Sequence, residues 1–243
     1  MLKIVADLHT HSVVSAHAYS TILENCQAAA ARGLFAIATT DHAPQITDGA
    51  HPYFFRGLSN VLPRHVGGVY LLRGIEGNLR DEHGSIDIEP EWQNILDFGI
   101  ASIHDETFGV SDPDRTTAAY LAILDNPCVD ILGHSGTVRY TYDYERVIKK
   151  CADVGKLIEI NAATFRYRKQ SLANCRAIAA LCKKHGVGIM VNSDSHVAVT
   201  VGVVDAALAM LEELEFPEEL VINGSIPRLA EYFKTRRGLD ILA

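Results

Sequence analysis

Short apolar runs alternate along this chain with segments whose apolar residues recur at helical spacing. Leu2–Ala6 (broken only by Lys3), Phe35–Thr40, Val69–Ile75, Gly99–Ile103, Val129–Gly133, Leu157–Ile160 and Val187–Asn192 are short and rich in β-branched or aliphatic residues. Runs of that length between turn signals read as buried strands. Ile86–Ile88 reads as a short accessory strand. Between the strands, Thr21 and Glu24 have capping-box spacing and open a helix that runs through Ala28–Ala31 and stops at Gly33. Leu172, Cys175, Ile178 and Cys182 form one helical stripe, and Val204, Ala207, Leu208 and Leu211 form another. The stretch Glu218–Asn223 and a helix near Arg228–Arg236 close the chain. Residues 43–65 are rich in Gly, Pro and aromatics and read as a long loop, part of the wall or lid of a site.

This makes about seven strand-helix units with no linker and no low-complexity segment, so residues 1–243 form one α/β domain with a mostly parallel sheet. The residues that close each strand decide between an open sheet and a barrel. Asp7-Leu8-His9-Thr10-His11 closes the first, Asp41-His42 the second and Glu76 the third; His104, His134, Asn161 and Ser193-Asp194-Ser195-His196 close the later ones. An open sheet gathers its site at one switch point, whereas a barrel gathers every strand end in one mouth. A slightly irregular TIM-like barrel is therefore expected.

Composition narrows the class. Of the 243 residues, 48% are hydrophobic and 21% charged, which is ordinary for a globular chain. No apolar run is long enough for a membrane helix, and the first residues lack the pattern of an export signal. The five cysteines contain no CxxC pair and sit mostly in helical patterns, as free thiols of a cytoplasmic protein would. A net charge of −8 argues against a nucleic-acid or anionic-membrane surface, but not against a small anionic substrate beside bound cations.

On a strand, His9 and His11 point to one face and can reach one ion. Placed on a barrel, His9, His11, His17, His42, Glu76, His104, His134, Asp194 and His196 converge in the mouth. Zinc takes about four ligands, so this set exceeds one ion, and two or three clustered ions with a bridging carboxylate satisfy it. Packing these groups together without metal would leave several polar side chains buried at high cost. Asp7 and Asp41 are read as carboxylates behind the ligands, able to fix imidazole tautomers. The basic run Phe165-Arg166-Tyr167-Arg168-Lys169 comes after a strand end and should overhang the mouth, where guanidinium suits phosphate. Arg139 is a weaker candidate of the same kind. His51 and His65 are read as solvent-facing loop histidines, and His83 and His185 carry no assigned chemistry.

These spaced motifs resemble the PHP (polymerase and histidinol phosphatase) superfamily. His17-Ala18-Tyr19-Ser20 and the length resemble its bacterial YcdX-type phosphatases. The resemblance implies a distorted (β/α)7 barrel with a trinuclear centre, usually of zinc, with manganese or iron in some relatives. It implies His9, His11, Glu76 and Asp194 on one ion. His104 and His134 would hold a second, with Glu76 bridging, and His17, His42 and His196 a third. It favours Arg168 or Lys169 for phosphate binding, and it implies a trimer. Where many relatives read His-Pro-Gly, this chain reads His134-Ser135-Gly136.

The expected activity is hydrolysis of a small phosphate monoester by a metal-activated hydroxide, with Glu76 bridging and Asp194 as ligand and orienter of the nucleophile. Two alternatives are a phosphodiesterase or nuclease acting on short nucleic acid, and a non-catalytic metal-binding protein. Nucleic acid is disfavoured by charge and by the single short basic cluster. C–N bond hydrolysis is disfavoured because no lysine ends a mid-barrel strand.

Overall fold

The computed structural model describes all residues, 1–243. Eight strands form: β1 (Ala6–Asp7), β2 (Ala36–Thr39), β3 (His65–Val66), β4 (Val69–Asn78), β5 (Phe98–Ser102), β6 (Ile131–Leu132), β7 (Leu157–Asn161) and β8 (Ile189–Asn192). Apart from β3, which pairs antiparallel with the start of β4, they lie parallel in the order β1-β2-β4-β5-β6-β7-β8. The helices are α1 (Ile22–Ala31), α2 (Pro52–Val61), α3 (Asp105–Phe108), α4 (Pro113–Ile123), α5 (Tyr144–Val154), α6 (Ala163–Tyr167), α7 (Leu172–His185), α8 (Asp205–Glu213) and α9 (Ile226–Arg237). Seven parallel strands with helices packed outside them make the distorted barrel expected from the sequence.

Alternation along the strands sorts core from site. Ile75 in β4, Ala101 in β5, Ile158 and Ile160 in β7 and Val191 in β8 belong to a large apolar cluster shared with Ile148, Ile178, Cys182, Ala207 and Leu211 of the helices. Neighbours of the opposite parity face inward, and so Glu76, Glu159 and Asn192 project into the barrel. A second cluster joins Leu72, Phe98, Ile100 and Met190 to Leu229 and Phe233 of α9. That helix plugs the end of the barrel opposite the strand C-termini, with the Phe98 and Phe233 rings 5.7 Å apart. The five cysteines are free and buried.

Closure between β1 and β8 is incomplete. A single parallel bridge, Thr10 to Ser195, joins them at the mouth. Below it, Asn223 fills the gap. Its backbone carbonyl accepts from Val5 N–H at 2.8 Å. Its side-chain amide donates to Ala6 O and Val191 O, both at 2.8 Å, and accepts from Val191 N–H at 3.1 Å. One fully buried side chain thus replaces the ladder bonds that two short strands cannot make.

Several boundaries differ from those expected. The first strand begins at Ala6 rather than Leu2, because only Ala6 and Asp7 find partners, in Ala36 and Ile37. β4 continues through Glu76 to Asn78, paired on its far side by Phe98–Ser102. Ile86–Ile88 makes one bridge, Leu79 to Ile86, and no strand. The segment 43–65 is not all loop: Pro52 at the first turn and the His51 imidazole, which accepts from Tyr53 N–H, start α2 there. His51 is thus a helix cap, and exposed His65 lies in β3. The capping box of Thr21 and Glu24 forms as expected.

If Asn223 closes the barrel, Asn223→Ala leaves Ala6 O, Val191 O and Val191 N–H buried without partners. A loss of about 2–4 kcal/mol in urea-unfolding free energy is expected. An unchanged midpoint would show that β1 and β8 hold together without it.

Candidate metal centre

The centre is built around Glu76. It stands inward on β4 with no solvent exposure, and imidazoles from four other strand ends approach its two oxygens. Glu76 Oε1 lies 2.9 Å from His134 Nε2 and 3.6 Å from His104 Nε2. Its Oε2 lies 2.8 Å from His42 Nδ1, 3.4 Å from His9 Nε2 and 3.5 Å from His11 Nε2. Asp194 Oδ1 approaches the same histidines from the end of β8, 3.3 Å from His11 Nε2 and 3.7 Å from His9 Nε2. His196 stacks on His11 at 4.2 Å and on His17 at 4.3 Å. All nine residues expected as ligands are brought together.

Two of them sit where the backbone is strained. His134 has φ +27° and Asp194 has φ +53°, a region that costs non-glycine residues of order 1–3 kcal/mol and is held by its surroundings. For His134 those surroundings are Gly133, where a Cβ would collide with Ser102 Oγ, and Glu159, which accepts the His134 N–H at 2.9 Å. Ser135 is buried and accepts from the Tyr142 hydroxyl at 3.0 Å, a contact that proline could not make.

His134 Nε2 bonds Glu76 Oε1 at 2.9 Å, but many of the cluster's other polar atoms have no hydrogen-bond partner. His9 Nε2, both ring nitrogens of His11, His42 Nδ1, Glu76 Oε2 and His196 Nε2 are buried and make no hydrogen bond. Leaving a buried polar atom unpaired costs about 1–3 kcal/mol each, so a set this large needs a common partner. Ligand atoms of His9, His11 and Glu76, of His42, Glu76 and His104, of His11, His42 and His196, and of His17, His42 and Asp48 lie within 4.8 Å of one another in each group. Nitrogen and oxygen donors in that arrangement suit divalent transition ions. These groups could hold metal.

Electrostatics favour a neutral, ligand-competent imidazole at His11 and His104. Burial and the neighbouring His42 and His196 hold His11 well below the usual histidine range, and burial pushes His104 down to about 3. Neutral imidazoles keep the lone pair that a metal needs. Burial alone would raise the Glu76 carboxyl, but His9, His42 and His104 outweigh it and hold it well below the usual carboxylate range. Burial opposes a charge on His9 too, yet Glu159, Glu76 and Asp194 together raise it.

The structure corrects the roles given to Asp7 and Asp41. Neither carboxylate meets an imidazole nitrogen. Asp7 accepts from Ser193 N–H at 3.0 Å and Gly202 N–H at 2.7 Å. Asp41 accepts from Ser12 N–H at 2.7 Å and from the Ser15 and Thr39 hydroxyls at 2.8 Å each. Both tie down the loops that carry ligands, because each is surrounded by backbone and hydroxyl donors. The imidazoles are oriented instead by Glu159, 2.7 Å from His9 Nδ1, and by Asn78, whose Oδ1 is 2.6 Å from His104 Nδ1.

The signal for Glu159 was present: a charged residue inside the apolar run Leu157–Ile160, at inward parity. Asp48 had no such signal. It reaches His17 from the loop before α2 and borders the mouth. Arg168 lines the mouth, donating at 2.9 Å to Asp194 Oδ2 and at 3.0 Å to Asn161 Oδ1. Lys169, expected beside it, is exposed and does not border the cavity. Arg139 pairs with Asp105 at the rim. The mouth is a cavity of about 350 Å³.

A seven-stranded parallel barrel with a buried histidine–carboxylate cluster at its strand ends is an arrangement that could hold metal ions at the place where such barrels carry their active sites. A family model described as the PHP domain matches residues 7–165. The chain is 42% identical over 238 residues to a probable phosphatase of Caldanaerobacter subterraneus subsp. tengcongensis, covering 97% of this chain and 93% of that one. It is 42% identical over 241 residues to a probable phosphatase of Clostridium botulinum, covering 99% of each. Among solved structures, the histidinol phosphate phosphatase of Lactococcus lactis, complexed with zinc, L-histidinol and phosphate, superposes with a TM-score of 0.64. Identity there is 19%, over 89% of this chain and 95% of that one. A chain of archaeal ribonuclease P superposes at 0.61 with 11% identity, over 96% and 94% of the two chains. This chain belongs to the PHP family. The matched segment stops before β8, after which come Asp194 and His196. No helix is long and apolar enough to cross a membrane.

Glu159 accepts only from donors: His9 Nδ1–H and Asn192 Nδ2 on one oxygen, His134 N–H and Asn161 Nδ2 on the other. Glu159→Gln turns an NH2 group toward two of them. Metal affinity, read by competition with a chromogenic chelator, is expected to fall about 10–100-fold. Undiminished affinity would remove Glu159 from the ligand-orienting network.

Proposed function

We propose that this chain is a phosphomonoesterase acting on a small phosphorylated molecule, with three divalent ions per chain, zinc for preference and manganese or iron as substitutes. The observation that carries the reading is Glu76, one buried carboxylate shared by five imidazoles, several of whose buried nitrogens have no other partner. His9, His11, Glu76 and Asp194 would hold one ion. His104, His134 and Glu76 would hold a second. His17, His42 and His196 would hold a third, with Asp48 as a further donor beside His17 and His42. The zinc and phosphate bound to the Lactococcus lactis enzyme support this ion and this ligand class.

Bound divalent ions supply water activation near neutral pH and charge neutralisation on the phosphoryl oxygens. The protein's own groups do the positioning. Asp194 Oδ2 is occupied by Arg168 and Asn161, which leaves Oδ1, facing His9 and His11, to hold an ion or orient the attacking water. Arg168 presents its guanidinium to the cavity, where it suits a phosphoryl oxygen. The Arg168–Asp194 contact links phosphate binding to the alignment of the attacking group. Asp48, Asp105 and Glu106 on the rim disfavour a polyanion such as nucleic acid, while the modest cavity suits a small ester.

The test is a paired assay of a chromogenic phosphate monoester and the matching diester, before and after chelation. Monoester turnover should vanish with chelator, return with zinc or manganese, and fall by at least about 100-fold in Glu76→Gln. Faster diester cleavage, or turnover indifferent to chelator, would overturn the reading.

A further inference from the structure

The segment Ile86–Ile88 forms no strand, and nothing in the proposed reaction uses it. It nevertheless lies directly against the end of β4. Gly77 has no side chain to hold it off, since a Cβ there would come within 2.6 Å of Ile88 and 2.7 Å of Ile86. Ile88 belongs to the main apolar cluster and Ile86 packs against it, so apolar burial fixes the segment in place. Between the two isoleucines stands Asp87, which is buried. A buried carboxylate needs donors, and Asp87 finds them in Asn78 and in the loop after β2.

Asp87 Oδ1 accepts the backbone N–H of Asn78 at 2.6 Å. Its Oδ2 accepts from the Asn78 side-chain amide at 2.7 Å and from Gln45 N–H at 3.0 Å. The same amide also donates to the Ala43 carbonyl at 3.2 Å. A carboxylate and a carbonyl only accept, so both hydrogens of the Asn78 amide are committed and the amide cannot turn over. Its Nδ2 must face Asp87, and its Oδ1 must face His104. Oδ1 carries no hydrogen, so His104 Nδ1, 2.6 Å away, is the donor and holds the ring's proton. A neutral ring then keeps its lone pair on Nε2, the nitrogen 3.6 Å from Glu76 Oε1. The bonds running from Asp87 through Asn78 decide which nitrogen of His104 can take an ion.

We propose that Asp87 is a positioning residue for the metal centre, which locks the Asn78 amide and so assigns Nε2 of His104 to the ion that His104, His134 and Glu76 would hold. The role rests on the metal reading of the site and concerns one ion of the set, because His9 takes its orientation from Glu159 instead. Asp87 itself touches neither ring nor ion. Asp87→Asn turns an NH2 group toward Asn78. The Asn78 amide answers by turning over, with Oδ1 toward position 87 and Nδ2 toward His104. His104 Nδ1 must then accept, its proton moves to Nε2, and the ligand atom is lost.

Competition for zinc between the full chain and a chromogenic chelator tests this, with Asp87→Asn and the exchange Asn78→Asp/Asp87→Asn side by side. The exchange moves the carboxylate to position 78, where it accepts from His104 Nδ1–H and from the amide at position 87, so the tautomer returns. Asp87→Asn should weaken one bound zinc about 10–100-fold and leave the others unchanged, and the exchange should recover most of that loss. A merely structural role predicts no recovery. Native zinc affinity in Asp87→Asn, a loss spread evenly over every ion, or an exchanged chain no better than the single variant would each overturn the proposal. Side-chain nitrogen NMR of the zinc-loaded native chain decides the matter without a variant: His104 should carry its proton on Nδ1, and a proton on Nε2 would overturn the proposal. A native chain that takes up no zinc would overturn the metal reading itself, and this role with it.

Discussion

The structure depends on one buried carboxylate. Glu76 sits at the centre of the barrel mouth, fully withdrawn from water, and an isolated carboxylate there would be expelled or protonated. Although burial alone would raise its pKa, His9, His42 and His104 around it favour the ionised form, and each of those rings follows the end of a parallel strand. Parallel strands with staggered register place each strand end beside its neighbour, so residues far apart in the chain meet around one side chain. Strain at His134 and Asp194 is the local cost of that convergence, since both must turn back toward the axis just after their strands end.

Around this centre lies a layer of groups whose work is orientation. Glu159 and Asn78 bind the ring nitrogens of His9 and His104 that face away from Glu76. Asp7 and Asp41 bind backbone and hydroxyl donors of the loops that carry ligands. The division comes from position: a carboxylate inside a strand at inward parity meets the rings, and one at a strand end meets the adjoining loops.

Much of the site was legible because it is periodic. Ligand-type residues close one strand after another, from Asp7-Leu8-His9-Thr10-His11 to Asp194-Ser195-His196, and a barrel is the architecture that brings them together. Glu159 was legible in principle, as the one charge in an apolar strand. Asp48 was not, because it belongs to a loop whose path is set by its own contacts, including Thr47 with Glu106 and Gln45 with Asp87. The helix after that loop was obscured by the glycine, proline and aromatic content of the segment, although Pro52 at its first turn is a recognised helix start.

The sequence by itself determined the alternation of strands and helices, the parallel barrel, and the set of histidines and acids at its mouth. These arise from hydrophobic periodicity and strand parity, which are local properties of the chain. Tertiary structure alone decided which carboxylate faces a ring and which a loop, that Arg168 rather than Lys169 borders the cavity, and that Asn223 bridges the open seam. Each of those outcomes depends on the partner a side chain meets across the fold. That partner is set by how distant segments pack.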